Sequence, residues 1–205
     1  KINKLQTNSP HSVTIPGAVK AWYDMHKEYG KLDFEELFIT AENYARNGYP
    51  VHEVVAKDWE ENKNKLKLYS STKSIFLKNS QSYKAGDIHK NELLADTLKS
   101  ISKNGIKDFY KGYIAEDIVK SLNSYGGLHS LDDFENQKTL FSNTLSNNYK
   151  KFKIHQCPPN GPGITVLIMM AILERINFND IKPLSYERFH LQAEASKIAY
   201  EEREL

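Results

Sequence analysis

The sequence predicts a predominantly α-helical fold with a few strands. Apolar residues recur at helical spacing through most of the chain, and glycines close several of these segments. A regular alternation of apolar and polar residues occurs only near residue 150. No internal repeat or low-complexity linker divides the chain, so we expect residues 1–205 to form a single structural unit.

Two helices are predicted in the first quarter of the chain. The first starts at Pro16, because proline is favoured in the first turn of a helix, and it stops at Gly30. The second starts near Asp33, which is a suitable N-cap residue. It ends at Asn47-Gly48, because these residue types tolerate the left-handed backbone that terminates many helices.

The middle of the chain alternates between helical and irregular patterns. A highly charged helix is predicted over residues 52–68, and residues 70–90 are expected to be irregular. A fourth helix is predicted from Glu92 to Lys103, where Asn104-Gly105 closes it. A fifth is predicted from Lys107 to Tyr125, before a pair of glycines.

The pattern changes in the last third. Ser130 and Asp133 have the spacing of a capping box, which predicts a short helix through Asn136. Alternation from Tyr149 to Gln156 predicts a strand, and the loop Pro158–Gly163 follows it. Residues 164–176 are apolar nearly all round, which is typical of a buried helix, and a last helix is predicted over residues 185–203.

Composition excludes several classes of protein. The chain has 28 basic and 26 acidic residues, so its formal net charge is only +2, and we expect no nucleic-acid partner. Lys57 to Lys67 form a basic helix face that we interpret as solvated surface. Cys157 is the only cysteine, so neither an intrachain disulfide nor a cysteine metal site can form. The longest apolar stretch, Ile164–Leu173, is too short to span a membrane.

Few residues have the spacing of a catalytic or metal site. His190 and Glu194 lie four residues apart on a predicted helix, a spacing that can bind a metal, but no further ligands lie nearby and we interpret them as a surface pair. Asp132-Asp133 is interpreted as a helix start. Cys157 follows a strand, where nucleophiles can occur, yet a free cysteine is more often a small buried apolar residue.

The loop Pro158–Gly163 has two interpretations. A strand, a glycine loop and an apolar helix together create a helix N-terminus with free N–H groups near Gly163 and Ile164, and such an end can hold a carboxylate. Alternatively, Gly161 and Gly163 make a sharp strand-to-helix turn against the core. We favour the turn.

The ordered set of motifs resembles the gamma-glutamyltransferase family. In the first half, two stretches and the glycines after them carry the resemblance: Ser12-Val13-Thr14-Ile15-Pro16-Gly17-Ala18-Val19 with Trp22 and Tyr29-Gly30, then Phe109-Tyr110-Lys111-Gly112 with Ile114-Ala115 and Gly126-Gly127-Leu128. Asp132-Asp133-Phe134 stands where the family usually has two acidic residues and a leucine.

The second half continues the same resemblance. Pro158-Pro159-Asn160-Gly161-Pro162-Gly163-Ile164 resembles the family's proline-glycine loop, ahead of a helix that ends in Ile172-Leu173-Glu174. Glu194-Ala195, Lys197, Ala199-Tyr200 and Arg203 resemble its last helix, with Glu202 in place of the usual aspartate. The resemblance covers nearly the whole chain, in order and with similar spacing.

The resemblance implies part of an N-terminal-nucleophile hydrolase with an αββα sandwich, of which this chain matches the middle of the large subunit. Such a precursor cuts itself into a large and a small subunit. A threonine freed at the start of the small subunit attacks the gamma-glutamyl carbonyl of glutathione and related compounds, and the glutamyl group passes to water or to an amino acid. Members of this family are commonly exported, so the resemblance alone suggests a periplasmic or extracellular location for this protein.

Neither the nucleophile nor the arginine that holds the substrate carboxylate has a counterpart in this chain. We therefore expect no catalytic, substrate-binding or metal-ligating residue within 1–205, no cofactor, and little activity of this segment alone. The expected partners are the small subunit and gamma-glutamyl compounds. The alternatives are a related acylase, such as a cephalosporin acylase-like enzyme or a poly-gamma-glutamate transferase, and a non-catalytic truncated remnant.

Overall fold

The computed structural model describes residues 8–204. Helices dominate, and the strands form three antiparallel two-stranded sheets in the described part of the chain. This confirms the predicted predominantly α fold with a few strands. The chain divides between Thr139 and Leu140 into two compact units. The single structural unit expected for residues 1–205 stays a prediction.

The first unit begins with a 3-10 helix at Pro10–Ser12 and continues through α-helices and two-residue strands. In chain order these are α1 (Ala18–Tyr29), α2 (Glu36–Asn47), β1 (Tyr49–Pro50), α3 (Glu53–Glu61), α4 (Lys63–Leu66), α5 (Ser70–Phe76), β2 (Leu77–Lys78), β3 (Gln81–Ser82), β4 (Ile88–His89), α6 (Glu92–Asn104), α7 (Lys107–Lys111), α8 (Tyr113–Ser124) and α9 (Leu131–Glu135).

Phe134 of α9 is the largest side chain of the core that is completely buried. The core around it draws on residues far apart in the sequence, because α1, α2, α6, α7 and α8 each turn an apolar face inward. Its other buried members are Val19, Phe38, Ile101, Phe109, Tyr110, Ile114 and Ala115.

Several predicted helix ends are confirmed by their local chemistry. Gly48 follows α2 with a φ of 95°, a conformation that favours glycine. Ser130 accepts from the Asp133 N–H while the Asp133 carboxylate accepts from the Ser130 N–H, so the predicted capping box is complete. Asp33 does not cap α2: its carbonyl accepts from Glu36 in a preceding turn, and the helix starts three residues later than predicted.

Two helices predicted as continuous are broken. The segment 52–68 splits at Asn62, whose side-chain amide donates to the Asp58 carbonyl and competes with the helical pattern. The segment 107–125 splits at Gly112, which has an extended backbone. A Cβ at Gly112 would lie 2.9 Å from the Asp108 Cα, so the close approach of Gly112 to the backbone of α7 leaves no room for a side chain there.

Residues 70–90 contain regular structure where none was predicted. Helix α5 covers Ser70–Phe76, and β2 pairs with β3 through a two-residue turn. Strand β4 pairs with β1, with Tyr49 opposite His89. These strands are only two residues long, and pairing with distant residues, not local alternation, defines them.

The β2–β3 turn predicts a stabilising substitution. Asn79 and Ser80 both have positive φ (51° and 64°), which costs a serine free energy that a glycine does not lose. We expect Ser80→Gly to raise the free energy of unfolding by about 0.5–1 kcal/mol in urea titrations. Ser82→Gly, in the adjacent strand, should lower it; the opposite order would contradict the turn geometry.

The second unit consists of a β-hairpin and two helices: β5 (Leu145–Tyr149), β6 (Phe152–Gln156), α10 (Gly163–Glu174) and α11 (Tyr186–Glu204). Asn147 lies opposite Ile154 in the hairpin. The predicted strand corresponds to β6, whereas β5 was not predicted, because Ser146, Asn147 and Asn148 hide its alternation. Both predicted helices are present, and α10 ends two residues earlier than expected.

Helix α10 is apolar on all sides because it packs against the hairpin and against α11. The backbone N–H of Lys150, at the hairpin turn, donates to the Glu174 carboxylate at 2.9 Å, so the hairpin turn is joined to the end of this helix. Among the described residues, no helix is both long and apolar enough to cross a membrane.

Candidate functional site

The strand-to-helix turn before α10 is the strongest candidate site that the sequence indicates. Gly163 is buried, and a Cβ on it would lie 2.5 Å from the carbonyl oxygen of Cys157 and 2.9 Å from the Cβ of Gln156. The start of α10 therefore abuts the end of β6 with no room for a side chain. This geometry supports the interpretation of the loop as a sharp structural turn.

The start of α10 also has polar groups that helix hydrogen bonds do not use. Pro162 occupies the N-cap position and provides no side-chain cap, and the first helical N–H groups have no partner within a helix. Thr165 is 5% exposed, and its hydroxyl has no hydrogen-bond partner within the described chain. This end of the helix is electropositive, as any helix start is, and among the described residues no side chain is hydrogen-bonded to the Thr165 hydroxyl.

Cys157 lies in the same loop and is exposed. The nearby His155 hydrogen-bonds to the Thr144 hydroxyl through Nδ1 (2.9 Å), and within residues 8–204 no imidazole is hydrogen-bonded to the thiol. The structure therefore does not assemble a cysteine–histidine pair.

The other sequence candidates are surface features. His190 stacks on Tyr186 at 6.0 Å between ring centroids, and Glu194 pairs with Lys197 at 2.9 Å, which lowers the pKa of the Glu194 carboxyl. In the described residues, no group of three His, Cys, Asp or Glu side chains could hold a metal ion. Along the basic face, Lys57 pairs with Glu61, as expected of solvated surface.

The Ser130 hydroxyl and N–H bind the Asp133 carboxylate and hold its pKa below the usual range. The adjacent Asp132 is exposed. Asp132-Asp133 is thus the helix start that the sequence predicts.

A groove between α1 and α2 has an almost entirely apolar lining and a volume of about 520 Å³. Trp22, Met25 and Leu37 line it and remain 45–58% exposed. His26 lies at its edge and is hydrogen-bonded to the Leu32 carbonyl at 2.7 Å. The groove is therefore an exposed apolar surface, which suits packing against another polypeptide segment better than catalysis.

Tyr110 joins two segments that lie ninety residues apart. Its hydroxyl donates to the Pro16 carbonyl at 2.6 Å and accepts from the Lys20 N–H at 3.0 Å. Helix α1 has Gly17 at its N-cap and no side-chain cap, so the buried phenol replaces the missing cap. Burial raises the pKa of this phenol, so it stays protonated and able to donate.

His129 makes a second connection of the same kind. Its Nε2 lies 2.8 Å from the Val13 carbonyl oxygen, which it reaches as a donor. Together, Tyr110 of α7 and His129, which lies just before α9, hold both ends of the extended segment Val13–Pro16. No spacing in the sequence reveals these contacts, although the absence of a capping side chain before α1 is a signal that a cap must come from elsewhere.

We expect Tyr110→Phe to lower the free energy of unfolding by about 1–3 kcal/mol, because it leaves a partly buried carbonyl and a helix N–H unpaired. Chemical denaturation followed by circular dichroism measures this loss. Tyr113→Phe is the matched control, because Tyr113 is 55% exposed and should change stability by less than about 0.5 kcal/mol. Equal effects of the two substitutions would show that the Tyr110 hydroxyl does not stabilise the start of α1.

Comparisons with known proteins identify a family and several structures to which this chain is similar. The family model described as Gamma-glutamyltranspeptidase matches residues 1–205. The chain is 32% identical over 193 residues to a protein of Bacillus subtilis described as Glutathione hydrolase-like YwrD proenzyme, covering 94% of this chain and 37% of that relative.

Two solved structures share the fold. The gamma-glutamyltranspeptidase of Helicobacter pylori superposes with a TM-score of 0.90 at 27% identity, over 100% of this chain and 59% of that one. The cephalosporin acylase of Bacillus halodurans superposes with a TM-score of 0.84 at 27% identity, over 97% and 38%. The chain spans about a third of the length of the curated relatives it matches.

Proposed function

The chain belongs to the gamma-glutamyltranspeptidase family, and we propose that the protein containing it cleaves gamma-glutamyl amide bonds and transfers the glutamyl group to water or to an amino acid. The observation that supports this most is the match of the family model to residues 1–205. The proposed donor class is glutathione and related gamma-glutamyl compounds. Residues 1–205 contribute structure, and the reacting groups lie outside them.

The proposed reaction uses a threonine at the start of a second polypeptide. Its hydroxyl attacks the gamma-glutamyl carbonyl while its own α-amino group takes the proton. Two backbone N–H groups hold the oxyanion, the amine leaves with the proton, and a glutamyl ester remains on the threonine. Water or an amino acid then attacks this ester and releases the threonine.

The proposed role of this chain is to brace the catalytic sandwich. Helix α10 packs on both strands of the β5–β6 hairpin, and α11 packs on α10. Within the described part of the chain, β5 and β6 pair only with each other, so both outer edges of the hairpin are free to extend a larger sheet. Such a sheet would be a layer of the proposed αββα sandwich.

The proposed partner is a smaller polypeptide released from the same precursor. Relatives described as proenzymes support this proposal. The uncovered groove of Trp22, Met25 and Leu37 supports it further, because large exposed apolar surfaces commonly mark contacts with other polypeptides.

A substrate panel tests the proposal. The purified full-length protein should release the chromophore from a gamma-glutamyl anilide and leave the corresponding alpha-glutamyl anilide intact. Added glycylglycine should raise the rate and yield a gamma-glutamyl peptide. Absence of turnover on gamma-glutamyl substrates by a folded, processed protein would refute the proposed function.

A related acylase activity is the second candidate, because the cephalosporin acylase of Bacillus halodurans shares the fold over 97% of this chain. A cephalosporin amide in the same panel separates the two: hydrolysis of this amide without cleavage of gamma-glutamyl anilide favours the acylase. Inactivity on both substrates favours a non-catalytic remnant.

A further inference from the structure

Residues 49–90, which we call the 49–90 lobe, form an excursion between two helices that pack on each other. The chain leaves at the end of α2 and returns at the start of α6, and these two helices have an extensive mutual contact. Next to the β1–β4 pair, the Asn91 N–H donates to the Ala45 carbonyl at 2.8 Å, and we call this place, where the two chain segments of the lobe meet, the neck. Besides this neck, the lobe contacts the rest of the unit through Tyr69, whose ring lies 4.8 Å from that of Tyr125 and whose hydroxyl donates to the Asn8 carbonyl at 3.2 Å. Opening of the lobe breaks these contacts and leaves the contact between α2 and α6 in place.

His89 lies at this neck inside a box of four aromatic rings. Tyr49, Trp59 and Tyr83 meet it edge-on, with centroid distances of 5.6, 5.0 and 5.0 Å. Phe76 stacks on it at 5.9 Å with an interplanar angle of 11°. The four rings come from β1, α3, α5 and the segment before β4, so His89 joins these four segments of the lobe.

The imidazole of His89 is buried as a neutral group. The residue is 2% exposed, and its Nδ1 has no hydrogen-bond partner within residues 8–204. Burial alone lowers the pKa of this imidazole, because a charged ring in the box would lose its hydration and gain no counter-ion.

Other titratable groups near the box do not offset this cost. The titratable side chains in ring contact with His89 are those of Tyr49 and Tyr83. Among the described residues, no carboxylate is paired with His89: Glu60 pairs with Lys63, and Asp87 accepts from the Lys84 N–H. The charged side chains of the surrounding elements lie on the surface or make such contacts; they are Glu53, Lys57, Asp58, Glu60, Glu61, Lys73, Lys78, Lys84, Asp87 and Lys90.

We propose that His89 makes the 49–90 lobe acid-sensitive, so that protonation of its imidazole opens the lobe while α2, α6 and the core around Phe134 stay folded. The charged ring enters water only when the aromatic box separates. Opening exposes Trp59, Phe76 and Tyr83 together, and closing at neutral pH buries them again.

The sign and size of the effect follow from linkage between protonation and opening. A group whose pKa is depressed in the closed lobe stabilises that state above the ordinary pKa of about 6.5 and ceases to do so as pH falls. If the closed lobe binds no proton, the opening constant rises about thirtyfold between pH 7.5 and pH 5.0. Residual protonation of the closed lobe would reduce this factor.

Amide hydrogen–deuterium exchange of the full-length protein tests the proposal, with protection factors corrected for the intrinsic pH dependence of exchange. Amides of residues 49–90 should lose between about threefold and thirtyfold in protection from pH 7.5 to pH 5.0. Amides of residues 92–124 should lose less than twofold. Equal loss in both regions, or no loss in the lobe, would overturn the proposal.

Two variants separate His89 from the other histidine of the lobe. His89→Phe keeps the stacking ring and removes the proton site, so the acid response should disappear. His52 caps α3 through its Nδ1 and could also respond to acid. His52→Asn preserves a capping residue without titration, and this variant should keep the response. The reverse pattern would overturn the proposal.

A measurement on the unmodified protein keeps the test independent of how the variants fold. Deuterium uptake at the imidazole Cε1, followed against pH, gives the titration of His89 directly. A midpoint below that of exposed His52 supports the proposal, and a midpoint at or above it contradicts the proposal.

Discussion

Gly163→Val should prevent the protein from folding to a stable state, with a loss of at least about 3 kcal/mol in the free energy of unfolding. The added Cβ would lie 2.5 Å from the carbonyl oxygen of Cys157 and 2.9 Å from the Cβ of Gln156. Neither atom can move away by rotation of a side chain, because one is a backbone atom and the other is bonded directly to the backbone. Relief therefore requires α10 to move off the hairpin. Soluble yield and denaturant midpoints measure the loss.

Gly161→Val is the matched control in the same loop. No atom lies within 4 Å of a Cβ added at Gly161, so the same side chain two residues earlier should change stability by no more than about 0.5 kcal/mol. Normal yield and stability of Gly163→Val would contradict the claim that β6 and α10 approach too closely for a side chain at this position. If Gly161→Val were as damaging, flexibility of the loop would explain both effects.

Phe134→Ala is expected to lower the free energy of unfolding by about 3–5 kcal/mol, the range typical of a large aromatic side chain removed from a core. Phe134 has no exposed surface, and it belongs to a core that the helices α1, α2, α6, α7 and α8 also form. The resulting cavity cannot collapse without shifting several of them. Urea or thermal unfolding of the variant measures the effect.

Leu131→Ala in the same short helix provides the comparison. Leu131 is 46% exposed, and its truncation should cost less than about 1 kcal/mol. A loss for Phe134→Ala that is no larger than the loss for Leu131→Ala would contradict the position of Phe134 at the centre of the first unit.

The presence of most helices was predictable from the sequence, because the residues that start and end a helix are its close neighbours in the chain. Gly48 and the Ser130–Asp133 capping box each need only neighbouring residues, and both are present as predicted. The break at Gly112 was not predictable, because apolar spacing continues from Phe109 through Ile114 while the reason for the break is a close approach to Asp108. The paired strands β1 and β4 lie about forty residues apart, and neither has a pattern of its own.

The sequence also could not assign roles to its histidines and tyrosines. His89 is enclosed by aromatic rings and His129 binds the Val13 carbonyl, and no spacing in the sequence indicates either contact. Tyr110 was quoted as part of a motif, and only the fold shows that it completes the start of α1. Each role depends on partners distant in the sequence, which one sequence does not reveal.

The most direct test of the central claim, that this chain is the structural part of a self-processing enzyme, is intact mass spectrometry of the mature full-length protein with sequencing of both N-termini. The account predicts two polypeptides in equal amounts, with residues 1–205 inside the larger one and a threonine as the first residue of the smaller one. A single uncleaved polypeptide, or a smaller polypeptide without a leading threonine, would contradict it.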